Sequence, residues 1–157
     1  MIPPEVQVPG HHVRVGCDVV SLDEIEYSMS TFGTRFLEKI YTDDELAACA
    51  GPSQLPRLAA RFAAKEAAIK AFSRPDAPFV PREIEVVTAK PLVTLRLTGS
   101  AAELAAAQRW RHISVSLTHA DCHAAAVVVA VCATPPPELH PADADTSDRN
   151  APGRSVS

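Results

Sequence analysis

The chain has 157 residues, 46% of them hydrophobic, and a formal net charge of −4. That length suits one domain with a modest core, and the negative balance gives no electrostatic reason to expect nucleic acid as a partner. The longest apolar run, 124–133, is too short to cross a bilayer, and the opening residues do not read as a secretory signal. Cys17, Cys49, Cys122 and Cys132 are widely spaced with no CxxC pair. They read as reduced thiols of a cytoplasmic protein that does not engage a membrane.

Composition divides the chain into a proline-bearing leader over 1–12, a patterned domain over 13–133 and a proline-led disordered tail over 134–157. In the domain, Val13, Val15, Cys17 and Val19 alternate with Arg14, Gly16, Asp18 and Val20. A period of two predicts a strand, with the first set directed to the core and Asp18 on the opposite face near the strand end. A short helix is expected from Ser21 and another over 32–40. Thr42-Asp43-Asp44-Glu45 has capping-box spacing and should open a third helical turn that ends before Gly51. The strongest helix runs over 55–73, with Pro56 in its first turn and Pro75 beyond its end. Strands follow at 83–88 and 92–98, then an alanine-rich helix at 100–108. A last pair of strands covers 113–118 and 123–131. The final strand is apolar on both faces, which predicts a central position. The sum is an α+β fold, one long helix packed on a small antiparallel sheet.

Within the long helix, Leu58, Phe62, Ile69 and Phe72 fall on one stripe at about 100° per residue. Lys65 projects inside it, Glu66 lies at its edge, and Lys70 sits one turn beyond Glu66. A charge on an apolar face is costly unless it is paired or bound to metal. The structural alternatives are plain: Glu66 and Lys70 as a surface i,i+4 pair, Lys65 reaching out to solvent, and Asp18 meeting solvent or capping the next helix. The functional alternative has Asp18 and Glu66 converging on one hard cation, which takes oxygen ligands and keeps waters.

These residues carry a family likeness. Val15-Gly16-Cys17-Asp18-Val19-Val20 resembles the opening strand motif of holo-acyl-carrier-protein synthases, the 4'-phosphopantetheinyl transferases of that type. Arg61-Phe62-Ala63-Ala64-Lys65-Glu66-Ala67 resembles their helix motif, with Lys70 as its trailing lysine. His112 to His119, His-Ile-Ser-Val-Ser-Leu-Thr-His, resembles their late strand. The likeness spans about 13–131. It implies a subunit that forms a homotrimer with interfacial active sites, and transfer of 4'-phosphopantetheine from coenzyme A to a serine of an apo acyl carrier protein, releasing 3',5'-ADP. By the same likeness, Asp18 and Glu66 hold Mg²⁺ (or Mn²⁺), and Lys70 and Lys65 face the phosphates. Arg61 and His119 contact coenzyme A. Catalysis then falls to Glu66, Lys70 and Asp18, with Glu66 as the base for the serine proton or water alone in that role. The carrier is of fatty-acid or polyketide type.

Three stretches depart from the family pattern. Ser73 to Phe79 replaces a glycine-rich turn near the coenzyme, Ala89-Lys90-Pro91 lacks a hairpin glycine, and Glu24 stands where a basic residue often holds the acidic carrier. An acidic first helix should repel such a carrier, so docking is expected through Arg35, Lys39 and Arg57 or on an unusual carrier. The rival reading is a weakened relative that binds coenzyme A or a carrier without turnover. His119, Asp121, Cys122 and His123 are close in sequence but match no zinc-site spacing. Ser114, Ser116 and Thr118 lack a nucleophile elbow, and no phosphate-binding glycine loop is present.

Overall fold

The computed structural model describes residues 10–89 and 91–134. The tail residues 135–157, Lys90 of the 89–91 hairpin and residues 1–9 of the leader lie outside them.

In chain order the elements are β1 (His11–Ser21), α1 (Leu22–Phe32), α2 (Thr34–Ile40), α3 (Asp43–Cys49), α4 (Gln54–Phe72), β2 (Ile84–Ala89), β3 (Leu92–Leu97), α5 (Gly99–Ala107), β4 (Trp110–His119) and β5 (His123–Ala133). The fold is α+β as expected, but the strands form two antiparallel sheets rather than one. β1, β5 and β4 make a three-stranded sheet with β5 central, and β2 pairs with β3. His11 and His12, read as leader, belong to β1 and pair with Ala133 and Cys132.

Local chemistry accounts for most boundaries. The Ser21 hydroxyl accepts from the Asp23 amide and starts α1. Gly33, at φ 54°, separates α1 from α2 in a conformation that costs a side-chain-bearing residue more. Thr42 and Glu45 form the expected capping box of α3.

Two expectations about faces are overturned. Val13, Val15, Cys17 and Val19 do not point to the core: Val15 is 60% and Val19 66% exposed. The alternate set, Arg14, Gly16, Asp18 and Val20, faces α4. A Cβ on Gly16 would meet the Ala67 carbonyl at 1.9 Å and the Ala71 amide at 2.6 Å, so α4 crosses β1 at a distance only glycine permits. The second correction follows from the first. Phe62 and Ile69 are only partly buried, whereas Ala59, Ala60, Ala63, Ala64, Ala67, Ala68 and Ala71 are fully enclosed with Leu58 and Phe72. Small side chains let the helix settle close onto Ala124, Ala126 and Val128 of β5. The seam between β1 and α4 is where Asp18 meets the long helix.

Candidate active site

The strand alternation that turns Gly16 toward α4 does the same for Asp18, two residues on. Its carboxylate accepts from Lys70, with Nζ 2.7 Å from Oδ1. This pair lies at the open edge of the seam: the Lys70 side chain is 55% exposed and that of Asp18 16%. The hydrogen bond and charge of Asp18 hold the Lys70 ammonium above the usual lysine range. Glu66, one turn before Lys70, is half-buried. Burial first, and the Asp18 carboxylate second, push its carboxyl above the usual range, with Lys70 pulling the other way. Asp18, from a distant segment of the chain, therefore shares one electrostatic neighbourhood with Glu66 and Lys70.

That neighbourhood offers carboxylate oxygens and one ammonium, a donor set that suits a hard cation and a phosphate better than a soft metal. Among the described residues no cluster of three or more His, Cys, Asp and Glu side chains could hold a metal ion. Two carboxylates alone leave most of a hard cation's shell to water and phosphate oxygens, which is how magnesium commonly binds with phosphorylated substrates.

The other charges of the helix motif go elsewhere. Lys65, expected at the phosphates, is 1% exposed and donates to Glu45 Oε2 at 2.8 Å, the Ile84 carbonyl at 2.6 Å and the Pro81 carbonyl at 3.0 Å. An ammonium has three hydrogens, and all three are committed, so Lys65 has no donor left for a ligand. Burial pulls its ammonium below the usual lysine range, against the attraction of Glu45. Glu45 also accepts from the Thr42 and Val86 amides. Sequence reading passed over Glu45 as a binding partner; its place in the capping box was the available signal, since a capping glutamate with a second oxygen can reach inward.

Arg61 is likewise buried. Its guanidinium donates to Thr88 Oγ1 at 3.0 Å and the Arg57 carbonyl at 3.4 Å, while Nε has no partner. No carboxylate forms an ion pair with it among the described residues, which leaves its charge available to an anion arriving at this end of α4. His119 is exposed at the end of β4, paired with Ala124, whereas Asp18 pairs with Ala126. It stands two register positions beyond Asp18 with β5 between them, apart from the Asp18–Lys70 pair within a single chain.

The departing turn after α4 has its own anchor. Ser73 takes the left-handed conformation at φ 53° that a glycine would adopt without strain. Phe79 stacks on Phe72 at 5.2 Å, and Phe72 stacks on Trp110 at 4.2 Å. Gln108 and Arg14 donate to the Phe72 carbonyl, which caps the helix end.

Comparison with known proteins assigns the fold and the family together. The family model described as the 4'-phosphopantetheinyl transferase superfamily matches residues 14–132. A holo-[acyl-carrier-protein] synthase of Dehalococcoides mccartyi is 42% identical over 118 residues, covering 73% of this chain and 95% of the relative. One from Chloroflexus aurantiacus is 40% identical over 134 residues, 73% of this chain and 95% of its own length. Among solved structures, the ACPS–CoA complex of Chronobacterium ammoniagenes has a TM-score of 0.69 at 29% identity, covering 79% of this chain and 99% of that one. The acyl carrier protein synthase of Mycobacterium tuberculosis has a TM-score of 0.61 at 38% identity, covering 77% and 97%. The match runs from β1 through β5 and takes in the strand that carries Asp18 and the helix that carries Glu66 and Lys70; the chain belongs to the 4'-phosphopantetheinyl transferase superfamily, among the holo-[acyl-carrier-protein] synthases.

Proposed function

We propose that this chain transfers 4'-phosphopantetheine from coenzyme A to a serine of an apo acyl carrier protein. The observation that carries the reading is the meeting of Asp18, Glu66 and Lys70 at the β1–α4 seam. Asp18 and Glu66 are the residues that would hold Mg²⁺, or Mn²⁺ in its place, and a bound divalent cation would supply charge stabilisation for the diphosphate. The serine Oγ forms a bond to the β-phosphorus of coenzyme A. The bond from that phosphorus to the bridging oxygen breaks, and 3',5'-ADP leaves with the electron pair. Glu66 accepts the serine proton, a role its raised affinity for protons suits. Lys70 neutralises charge on the leaving phosphate. Arg61 and His119 are assigned to coenzyme contacts, His119 from a neighbouring subunit's edge.

The interfacial arrangement is supported by the outer face of the three-stranded sheet. There Val13, Val15, Val19 and Val127 stand exposed in one chain, an apolar patch that a homotrimer would cover. All four cysteines are free, in keeping with a cytoplasmic setting. No helix among the described residues is long and apolar enough to cross a membrane.

For the carrier, α1 presents Asp23, Glu24 and Glu26, whereas α2 presents Arg35 and Lys39 beside Phe32, Phe36 and Ile40 in a groove of about 410 Å³. Neither cation forms an ion pair among the described residues. An acidic carrier of fatty-acid or polyketide type docks on α2 and is repelled by α1. The Glu24→Arg variant should modify acidic carriers faster than the wild type, and an unchanged rate would remove this account of docking.

The reaction is tested by intact mass after incubation with coenzyme A, Mg²⁺ and an apo carrier. A gain of one phosphopantetheine is expected, with rates lower by about 10²–10⁴ in Asp18→Ala and Glu66→Ala. Coenzyme A binding with no transfer to any carrier would instead indicate a binding module.

A further inference from the structure

The two lysines of the helix motif hold their carboxylate partners in different ways. Lys65 cannot leave Glu45 without orphaning buried groups on α3 and β2. Lys70 has one side-chain acceptor, Asp18 Oδ1, and a side chain more than half exposed, so water replaces what it would lose on moving. The Asp18 carboxylate is the opposite: mostly enclosed, fixed on a strand, and next to a second carboxylate, Glu66. An acidic pair on rigid elements with one mobile cation is an arrangement in which the cation can be exchanged.

We infer that Lys70 is the displaceable counter-ion of Asp18, yielding the carboxylate to a divalent cation and carrying its ammonium to the phosphates of the anionic co-substrate. This rests on the assignment of a divalent cation to Asp18 and Glu66 made above. The two positive species cannot share one carboxylate comfortably, because like charges at that separation repel, and the exposed, flexible one is the one free to move. The same lysine would thus serve two states in turn: it balances Asp18 before the cation binds and the diphosphate afterwards. Lys70 also faces Glu66 from its own helix and Cys17 from β1, while its side-chain hydrogen bond goes to Asp18.

The full-length chain, reductively methylated with ¹³C-formaldehyde, allows a direct test. Its lysines are Lys39, Lys65, Lys70 and Lys90, and the Lys70 signal is the one absent from Lys70→Arg. Titration with Mg²⁺ should move that signal saturably toward its position in Asp18→Asn, where no further movement should occur. Mn²⁺ binding to the same chain, followed by electron paramagnetic resonance with and without 3',5'-ADP, separates the two levels of the argument. If Mn²⁺ binds at one site lost in Asp18→Asn while the Lys70 signal stays still, the exchange is overturned and the metal assignment stands. If no Mn²⁺ binds under either condition, the metal assignment falls and the exchange with it.

Discussion

Lys65 and Lys70 lie little more than one turn apart on α4, yet one is built into the core and the other stands at the open edge of the β1–α4 seam. Lys65 turns toward α3 and β2, is almost wholly withdrawn from solvent and spends every hydrogen on fixed acceptors. Lys70 turns toward β1, keeps most of its side chain in solvent and holds a single carboxylate. Burial depresses one ammonium and a carboxylate neighbour raises the other. The same residue type is a buried structural rivet on one flank of the helix and an exposed, singly paired ammonium on the other. The difference lies in the neighbours, since the helix backbone is common to both.

Paired variants sharpen the contrast. Lys70→Met should lower the transfer rate by about 10²–10³, the loss typical of one removed electrostatic stabiliser, with an unfolding midpoint close to wild type because an exposed pair contributes little. Lys65→Met should do the reverse. It strands Glu45 as a buried charge, at a cost of about 3–5 kcal/mol of stability by urea denaturation, and Lys65→Met with Glu45→Gln should recover part of that loss. If Lys65→Met lowered turnover at unchanged stability, the division between the flanks would be wrong.

Next in size is the seam on which both flanks depend. Gly16→Ala forces a methyl group against the α4 backbone, and the strand or the helix must retreat. A loss of about 3 kcal/mol, at the upper end for overpacking, is expected with reduced activity, because Asp18 on the same strand face moves with Gly16. The smallest effect belongs to the helix end: Ser73→Gly relieves a left-handed side-chain-bearing residue and should raise stability by about 1 kcal/mol or less.

The elements themselves were legible because each is a local matter of period and punctuation. The Thr42 capping box, Pro56 at the start of α4 and the doubly apolar β5 each appeared where expected, within a residue or two. The candidate site is read from the helix motif and the aspartate of β1, by likeness more than by spacing, and the structure brings Asp18 and Lys70 of those two motifs into contact. What failed was the choice of face. In β1 the alternation of valines was read correctly as a strand and assigned to the wrong side, because the sheet has apolar residues on both faces and the period does not say which one a helix covers.

The amino-acid order by itself determined which segments form strands and helices, with ends that fall within a few residues of those observed, and that acids and lysines would share the long helix with alanines. Only the tertiary structure decided that Gly16 lets α4 come down on β1, that Lys65 is consumed by Glu45, and that Asp18 and Lys70 meet at an open edge. Propensity and capping act over a few residues, so they can be read along the chain. Partners from distant segments are selected by close packing and by the cost of an unpaired buried charge, which exist only once the segments have met.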